Sequence, residues 1–453
     1  MDTKLMKTGY YRMDNLADSC KLNVLMSILN RLHMLVHFKK LLLIVGGLFG
    51  NCLLLDAQEI LETGGKKMPK EWIDQDTHHK IVRLSAELDG NSQSFYFHNN
   101  PFIGNDMIFY NSSKQKAEDV TDMKHEQSAT ININNRQIFS IDLKNQKITR
   151  LTNEHSPMNG EVVCEKTKTV FYQIKDSVFS LGIKEKKPKL VFVFPADFKS
   201  TIVAVNSNGI LLGGSRATDA EKDILKNNPN KSSFFNLIYE AHLPKTLFTI
   251  EVATGKLNKL FTDSAWLNHV QFSTSNPNLL GFCHEGPWHK VNRVWTIDVQ
   301  TKVITQIHHR TIDNEIWGHE WFGKSGKTIW FDLQQPRGQT FFVGGYDVAT
   351  GEEKKYSLQR NEWSVHYNSN QDETLFAGDG GDPGAVAKAP DGQWIYLFTP
   401  NGNKFDAEKL VNMKRHQYRL EPNVHFSPDG KWIIFRANFE GESNVYAVEI
   451  KRS

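Results

Sequence analysis

The chain has 453 residues, with 54 Lys and Arg against 51 Asp and Glu and a net charge of +3. That near balance excludes a nucleic-acid binder built on a broad excess of phosphate-contacting cations. The length suits two ordinary domains or one large repeat or barrel unit. Two of the four cysteines precede residue 58, leaving Cys164 and Cys283, which imply no disulfide framework.

Taken in chain order, the first signal is His37-Phe38-Lys39-Lys40 followed by LLLIVGGLFGNCLLL (Leu41–Leu55) and Asp56-Ala57-Gln58. A basic flank, an apolar run shorter than the roughly 20 residues of a spanning helix and a small residue before Gln58 predict a cleaved secretory signal peptide. A periplasmic or secreted protein with no stable membrane insertion follows. Met34 offers a later start than Met1, and Asn51 is a poor residue to precede a lipid anchor on Cys52. Residues 1–57 are therefore set apart from a folded region spanning 58–453.

Beyond that point one pattern recurs: aromatic-x-aliphatic-polar-aliphatic, then a turn and a Lys-rich strand. Its copies begin at Ile138, Val178, Leu247, Val294, Val343, Trp394 and Val445. Most are separated by about 40–55 residues, the length of a four-stranded blade. The longer gap between the second and third copies contains the polar stretch 216–242, expected as an inserted loop or short helix. HFSPDGKWIIF and AKAPDGQWIYLF place Asp-Gly turns before alternating strands, the Gly supplying a positive φ. The last copy ends the chain, so a strand from the N-terminal side, near Ile81–Leu88 or Ser94–Phe97, is expected to complete its sheet and remove an exposed edge. The fold class predicted is all-β, a seven-bladed β-propeller.

Polar clusters punctuate these strands. FYFHNNPF (Phe95–Phe102) offers His98, Asn99 and Asn100, with His98 and Asn100 as candidates to contact a ligand. GFCHEGPWHKVNRVW (Gly281–Trp295) is the richest segment, placing His284 and Glu285 beside Lys290 and Arg293. His319, His366 and His425 recur at blade spacing. His78-His79 and His308-His309 lie in polar, loop-like contexts and read as solvated, and GDGGDPG (Gly378–Gly384) reads as a tight turn facing the funnel.

From about Lys80 onward the chain resembles the oligogalacturonate lyases, through CHEGP (Cys283–Pro287), GHEWF (Gly318–Phe322), VHYNSNQDETLFAGDGGD (Val365–Asp382) and EPNVHFSPDGKWIIFRANFEG (Glu421–Gly441). The resemblance implies a seven-bladed propeller, β-elimination of short α-1,4-linked galacturonate oligomers, and a divalent metal, typically Mn2+. It assigns His284 to the catalytic base, His319 to a metal ligand and His366 to ligand or substrate contact. At the last motif the chain departs from the family: Glu421 and Asn423 stand where two metal-binding histidines are usual, with His425 close by. The metal site is then either rebuilt on His319, Glu421, Asn423 and His425, as manganese accepts oxygen donors, or lost.

Elimination beside a uronate removes the proton at C5, α to a carboxylate, and expels the oxygen at C4. The carboxylate must be neutralised, by metal or by cations such as Arg293 and Lys290, and a base near neutral pKa must reach the proton. These readings together describe a monomeric lyase acting on an oligosaccharide. The alternative is a non-catalytic TolB-like propeller that binds or scaffolds. A serine peptidase is excluded because no Gly-x-Ser-x-Gly elbow follows the strands. A glycosidase using two of Glu285, Glu320 and Glu421 stays distinguishable by its product.

Overall fold

The computed structural model describes residues 58–112 and 136–452. The expected signal peptide lies outside the described residues. Among the described residues nearly all regular structure is strand, and every copy of the repeated pattern is the third strand of a four-stranded antiparallel run. These third strands are Gln137–Asp142, Ser177–Gly182, Lys245–Glu251, Val294–Asp298, Phe341–Asp347, Trp394–Asn401 and Asn444–Arg452. The Lys-rich segment after each of the first six forms the outer, fourth strand, as in Leu257–Asp263 and Glu353–Leu358.

Both faces of each third strand are covered, which is why its apolar pattern is almost continuous. In Lys245–Glu251, Phe248 and Ile250 pack with Phe171 and Val178 of the preceding sheet and with Leu212 of their own. Leu247 packs with Leu267, Leu280 and Ile297 of the following one. Successive side chains of a strand point to opposite faces, so one strand feeds two hydrophobic cores. Two consecutive runs, Ile316–Leu358 and Tyr367–Asn412, are joined into one eight-stranded sheet by a single parallel pairing, Ser357 with Lys404.

The final run, His425–Phe426, Trp432–Ala437 and Asn444–Arg452, takes its fourth strand from the other end of the described chain. His79–Arg83 pairs antiparallel with Asn444–Arg452 in the register Ile81↔Val448 and Val82↔Ala447. The closing strand thus starts slightly before the expected Ile81–Leu88, while Ser94–Phe97 is not used. Glu71–Asp74 and Ile60–Leu61 extend that sheet outward. Val82, Ile434, Val445 and Ala447 of this last sheet pack against Met107, Phe109, Phe139 and Ile141 of the first.

The long gap at 216–242 folds as two helices, Asp219–Asn227 and Lys231–Ala241. Thr218 caps the first, its side chain accepting from the Glu221 N–H, and His242 ends the second in a left-handed conformation. Of the two Asp-Gly turns, Gly430 takes the expected positive φ of 69°. Gly392 does not: its carbonyl instead accepts from Gly381 N, and Asp391 accepts from the Trp394 indole at 2.7 Å. Cys164 and Cys283 are buried free thiols.

His308, expected to be solvated, is 2% exposed and sits between Glu315 (2.6 Å) and Glu353 (2.7 Å). Burial alone would lower its pKa, but the hydrogen bonds to Glu353 and Glu315 outweigh it and raise the group above its ordinary value. A raised folded pKa gives stability that is full below the unfolded value of about 6.5 and lost as pH rises through the folded one. In urea titrations, His308→Gln is therefore expected to cost more stability at pH 6 than at pH 8.5. An equal loss at both would contradict this ion-pair account.

Candidate active site

The strands Trp266–Phe272 and Ile316–Phe322 begin consecutive runs and share an irregularity. Register breaks between Asn268 and Gln271 in one and between Gly318 and Trp321 in the other. In each the bulged residue is a histidine with positive φ, His269 at 49° and His319 at 47°. A left-handed non-glycine residue inside a strand is costly and uncommon, and bulges re-aim side chains beside sites. The two bulges are tied together by Gln271, whose amide donates to Glu320 O at 3.0 Å and accepts from Phe322 N at 3.4 Å.

His269 meets carboxylates on both ring nitrogens, with Nε2 3.5 Å from Glu285 and Nδ1 3.9 Å from Glu320. Beneath it, Arg293 is 1% exposed and pairs with both acids, at 2.7 Å to Glu285 and 3.4 Å to Glu320. Its guanidinium lies over the Trp288 ring at 4.5 Å. Only glycine fits at 318, since a Cβ there would come within 2.7 Å of Arg293 Nε. Burial would raise the Glu285 pKa, yet Arg293 and His269 overcome it and hold that carboxyl well below its usual range.

A second group surrounds His366, which is fully buried. Its Nδ1 lies 2.9 Å from Asp379 Oδ2 and its Nε2 lies 3.2 Å from the Tyr96 hydroxyl. Asp379 also accepts from the backbone N–H groups of His366 and Asn423. The His319 and His366 rings are 4.8 Å apart, and Tyr96 is 6.0 Å from the His269 ring. Burial, then the like charges of His269 and His366, lower His98 to about 3, so it is neutral at physiological pH.

Two cavities open here. One of about 460 Å³ is lined by Tyr96, His98 and His269 and by Lys199, Lys222 and Lys245. The other, about 600 Å³, is lined by His319, Trp288, Asp332, Trp363 and Arg337. Burial raises Asp332 to about 7.

Of the residues singled out in sequence, His98, Arg293, His319 and His366 come together here. His284 does not join them. It alternates with Glu285 onto the other face of its strand, stacks on Trp295 at 4.9 Å, and has its pKa lowered by burial against the opposing pull of Asp263. Lys290 is exposed in the turn after Pro287 and lines neither cavity. Asn100 closes its own turn with Phe102, while its neighbour Asn99 lines the lysine-rich cavity. Arg293 is committed to two buried acids rather than offered to a ligand.

His269, Tyr96 and Asp379 belong to the cluster without being sequence-predicted site residues, and Glu320 joins it although sequence offers it only as a glycosidase carboxylate. A signal for His269 exists: WLNHVQF and IWGHEWF align residue for residue, each with histidine fourth and phenylalanine last.

A family model for oligogalacturonate lyase matches residues 131–453. This chain belongs to the oligogalacturonate lyase family. Among curated members, an oligogalacturonide lyase of Pectobacterium atrosepticum is 21% identical over 331 residues, covering 70% of this chain and 83% of its own. An oligogalacturonate lyase of Dickeya dadantii is 24% identical over 219 residues, covering 46% of this chain and 56% of its own. Two solved structures share the fold. One is an oligogalacturonate lyase in complex with manganese, with a TM-score of 0.69 and 20% identity, covering 86% of this chain and 98% of that one. The other, from Vibrio parahaemolyticus, gives 0.68 and 20%, covering 84% and 96%.

The residues expected to hold the family's metal do not converge on one: the buried Nδ1 atoms of His319 and His425 have no hydrogen-bond partner, yet His319, Glu421 and His425 do not bring three ligand atoms within 4.8 Å of one another. Asn423, fully buried, accepts from Phe97 N and donates to Glu421 O, so its amide is held as a brace for these two main-chain groups. His425 Nε2 is 3.2 Å from Asn99 O. The Glu421 carboxylate, 44% exposed, is 3.8 Å from His366. Among the described residues, the three His, Cys or carboxylate side chains with ligand atoms within 4.8 Å of one another are His269, Cys283 and Glu285. Burial pushes that thiol up, keeping it protonated, and Arg293 already occupies Glu285. A hard cation has no place among these donors.

Proposed function

We propose that this protein is a polysaccharide lyase that cleaves uronate oligosaccharides by β-elimination, with oligogalacturonates favoured through the family. We also propose that its seven four-stranded runs close into a propeller, with the two cavities opening at one end. The observation that carries the reading is His269, held in a left-handed bulge at a cavity lined by three lysines.

Lys245 is committed to buried Glu221, but Lys199 and Lys222 are half-exposed in their pairs with Asp176 and Asp219. These two favour an anionic sugar there and reduce the charge on its carboxylate, which makes the adjacent C5 proton easier to remove. His269 takes that proton on Nε2, because its Nδ1 is enclosed on the side of Glu320. Glu285 and Glu320 face its two nitrogens, so positive charge arising on the ring is met on both sides. Arg293 fixes both acids from below. The electrons left at C5 form the C4–C5 double bond as the C4–O4 bond breaks.

Elimination divides a substrate without adding water, whereas hydrolysis adds one water per cut. Mass spectra of digests of galacturonate, glucuronate and guluronate oligomers test the reading, and products whose masses include water would overturn it. Because no step runs through a metal, EDTA is expected to leave the initial rate within about twofold, too small a change for the loss of a Lewis acid. A loss of tenfold or more, restored by Mn2+, would contradict this. We further propose export with cleavage before Gln58. N-terminal sequencing of the protein from its producing cells tests this, and an intact Met1 or Met34 start would refute it.

A further inference from the structure

In a galacturonate unit the C5–H and C4–O bonds lie on opposite faces of the ring, so one side chain cannot both remove the proton and protonate the departing oxygen. A lyase acting on this sugar requires a second group, separate from His269. We propose that Tyr96 is that group, the general acid of the reaction, and that His366 and Asp379 are its positioning residues. This rests on the lyase reading above.

Tyr96 lines the same cavity as His269. Its main chain is fixed from two later strand runs: Phe97 N donates to the Asn423 side chain at 2.9 Å, and Phe97 O accepts from the Asn368 side chain at 3.0 Å. Its hydroxyl contacts His366 Nε2 at 3.2 Å. Asp379 accepts at His366 Nδ1, so the proton of the neutral imidazole sits on Nδ1 and Nε2 is left as an acceptor. That arrangement holds the Tyr96 oxygen in place and fixes the ring edge-on to His366, the centroids 5.1 Å apart at 76°, and the O–H turns from Nε2 to the departing oxygen as charge develops there. Burial, then Glu421, hold the Tyr96 pKa well above 10, which keeps the proton in place until a basic oxygen approaches.

In the step itself, the C4–O4 electron pair moves to oxygen and Tyr96 gives that oxygen its proton. The C5 proton stays on His269. Exchange with water then returns the phenolate to phenol and the imidazolium to imidazole, so the cycle balances without a co-reactant.

The test compares an oligogalacturonate with a 4-deoxy-4-fluoro-galacturonide, whose fluoride leaves without a proton. Tyr96→Phe is expected to lower kcat on the oligomer by about 10²-fold or more with KM nearly unchanged, and to eliminate fluoride within about fivefold of the parent protein. Asp379→Asn is expected to show the same split at smaller amplitude, about tenfold. Equal loss on both substrates would make Tyr96 structural, or a base, and would overturn the proposal. So would retention of both activities. If the unmodified protein forms unsaturated product from neither substrate, the lyase reading fails and this proposal falls with it.

Discussion

Replacing His269 with alanine is expected to abolish formation of unsaturated product, by about 10³-fold in kcat, while His284→Ala stays within a few-fold of the parent protein. The two histidines are 15 residues apart and sit in paired strands, where Leu267 opposes His284. What separates them is the direction of the side chain. His269 stands in a bulge at the lysine-lined cavity between two acids. His284 stacks flat on Trp295 on the opposite face of its strand from Glu285. Steady-state rates on digalacturonate decide between them. A silent His269→Ala beside an inactive His284→Ala would reverse the assignment, and with it the geometry proposed for the site.

The second large effect concerns stability. Arg293→Ala is expected to destabilise the fold by about 3–5 kcal/mol, because it leaves two buried carboxylates facing each other without a counter-ion. Glu285 and Glu320 are 8% and 1% exposed, so water cannot easily take the place of the guanidinium. Adding Glu285→Gln and Glu320→Gln to Arg293→Met should recover much of the loss, since the buried charges go together. Urea unfolding followed by tryptophan fluorescence measures both. An Arg293→Ala midpoint equal to the parent's would mean that the pair is solvated and Arg293 free for a ligand.

Strand pattern carried most of the architecture. Third strands announce themselves because both faces are buried, giving runs such as LFTIE and VWTID, and their spacing reveals the repeat. The closing strand was harder to locate, as HKIVR offers two apolar positions, Ile81 and Val82, and little else. The insertion at 216–242 was visible as excess length, but its helices were not, their polar composition being shared by loops.

The site was legible only in part, for a geometric reason. A strand's alternation predicts that His284 and Glu285 face opposite ways, and they do. It says nothing of a bulge, in which one residue adopts a left-handed φ and leaves the alternation. His269 and His319 are both such residues, and only comparing WLNHVQF with IWGHEWF exposes the first through the second. Asp379 was hidden differently, in a glycine-rich stretch that reads as a turn, although its carboxylate accepts three hydrogen bonds around His366. The departure of Glu421 and Asn423 from the family's histidines was plain in sequence. Its consequence needed the structure, where Asn423 has become a buried brace for Phe97.

The measurement closest to the centre of this account is the ultraviolet absorbance of the purified protein incubated with digalacturonate, with and without EDTA. A conjugated 4,5-unsaturated uronate absorbs there and a hydrolysis product does not. The account predicts a steady rise at the same rate in both cuvettes. No rise with this or any other uronate oligomer, despite bound sugar in a titration, would contradict it and leave a propeller that holds uronates without cutting them.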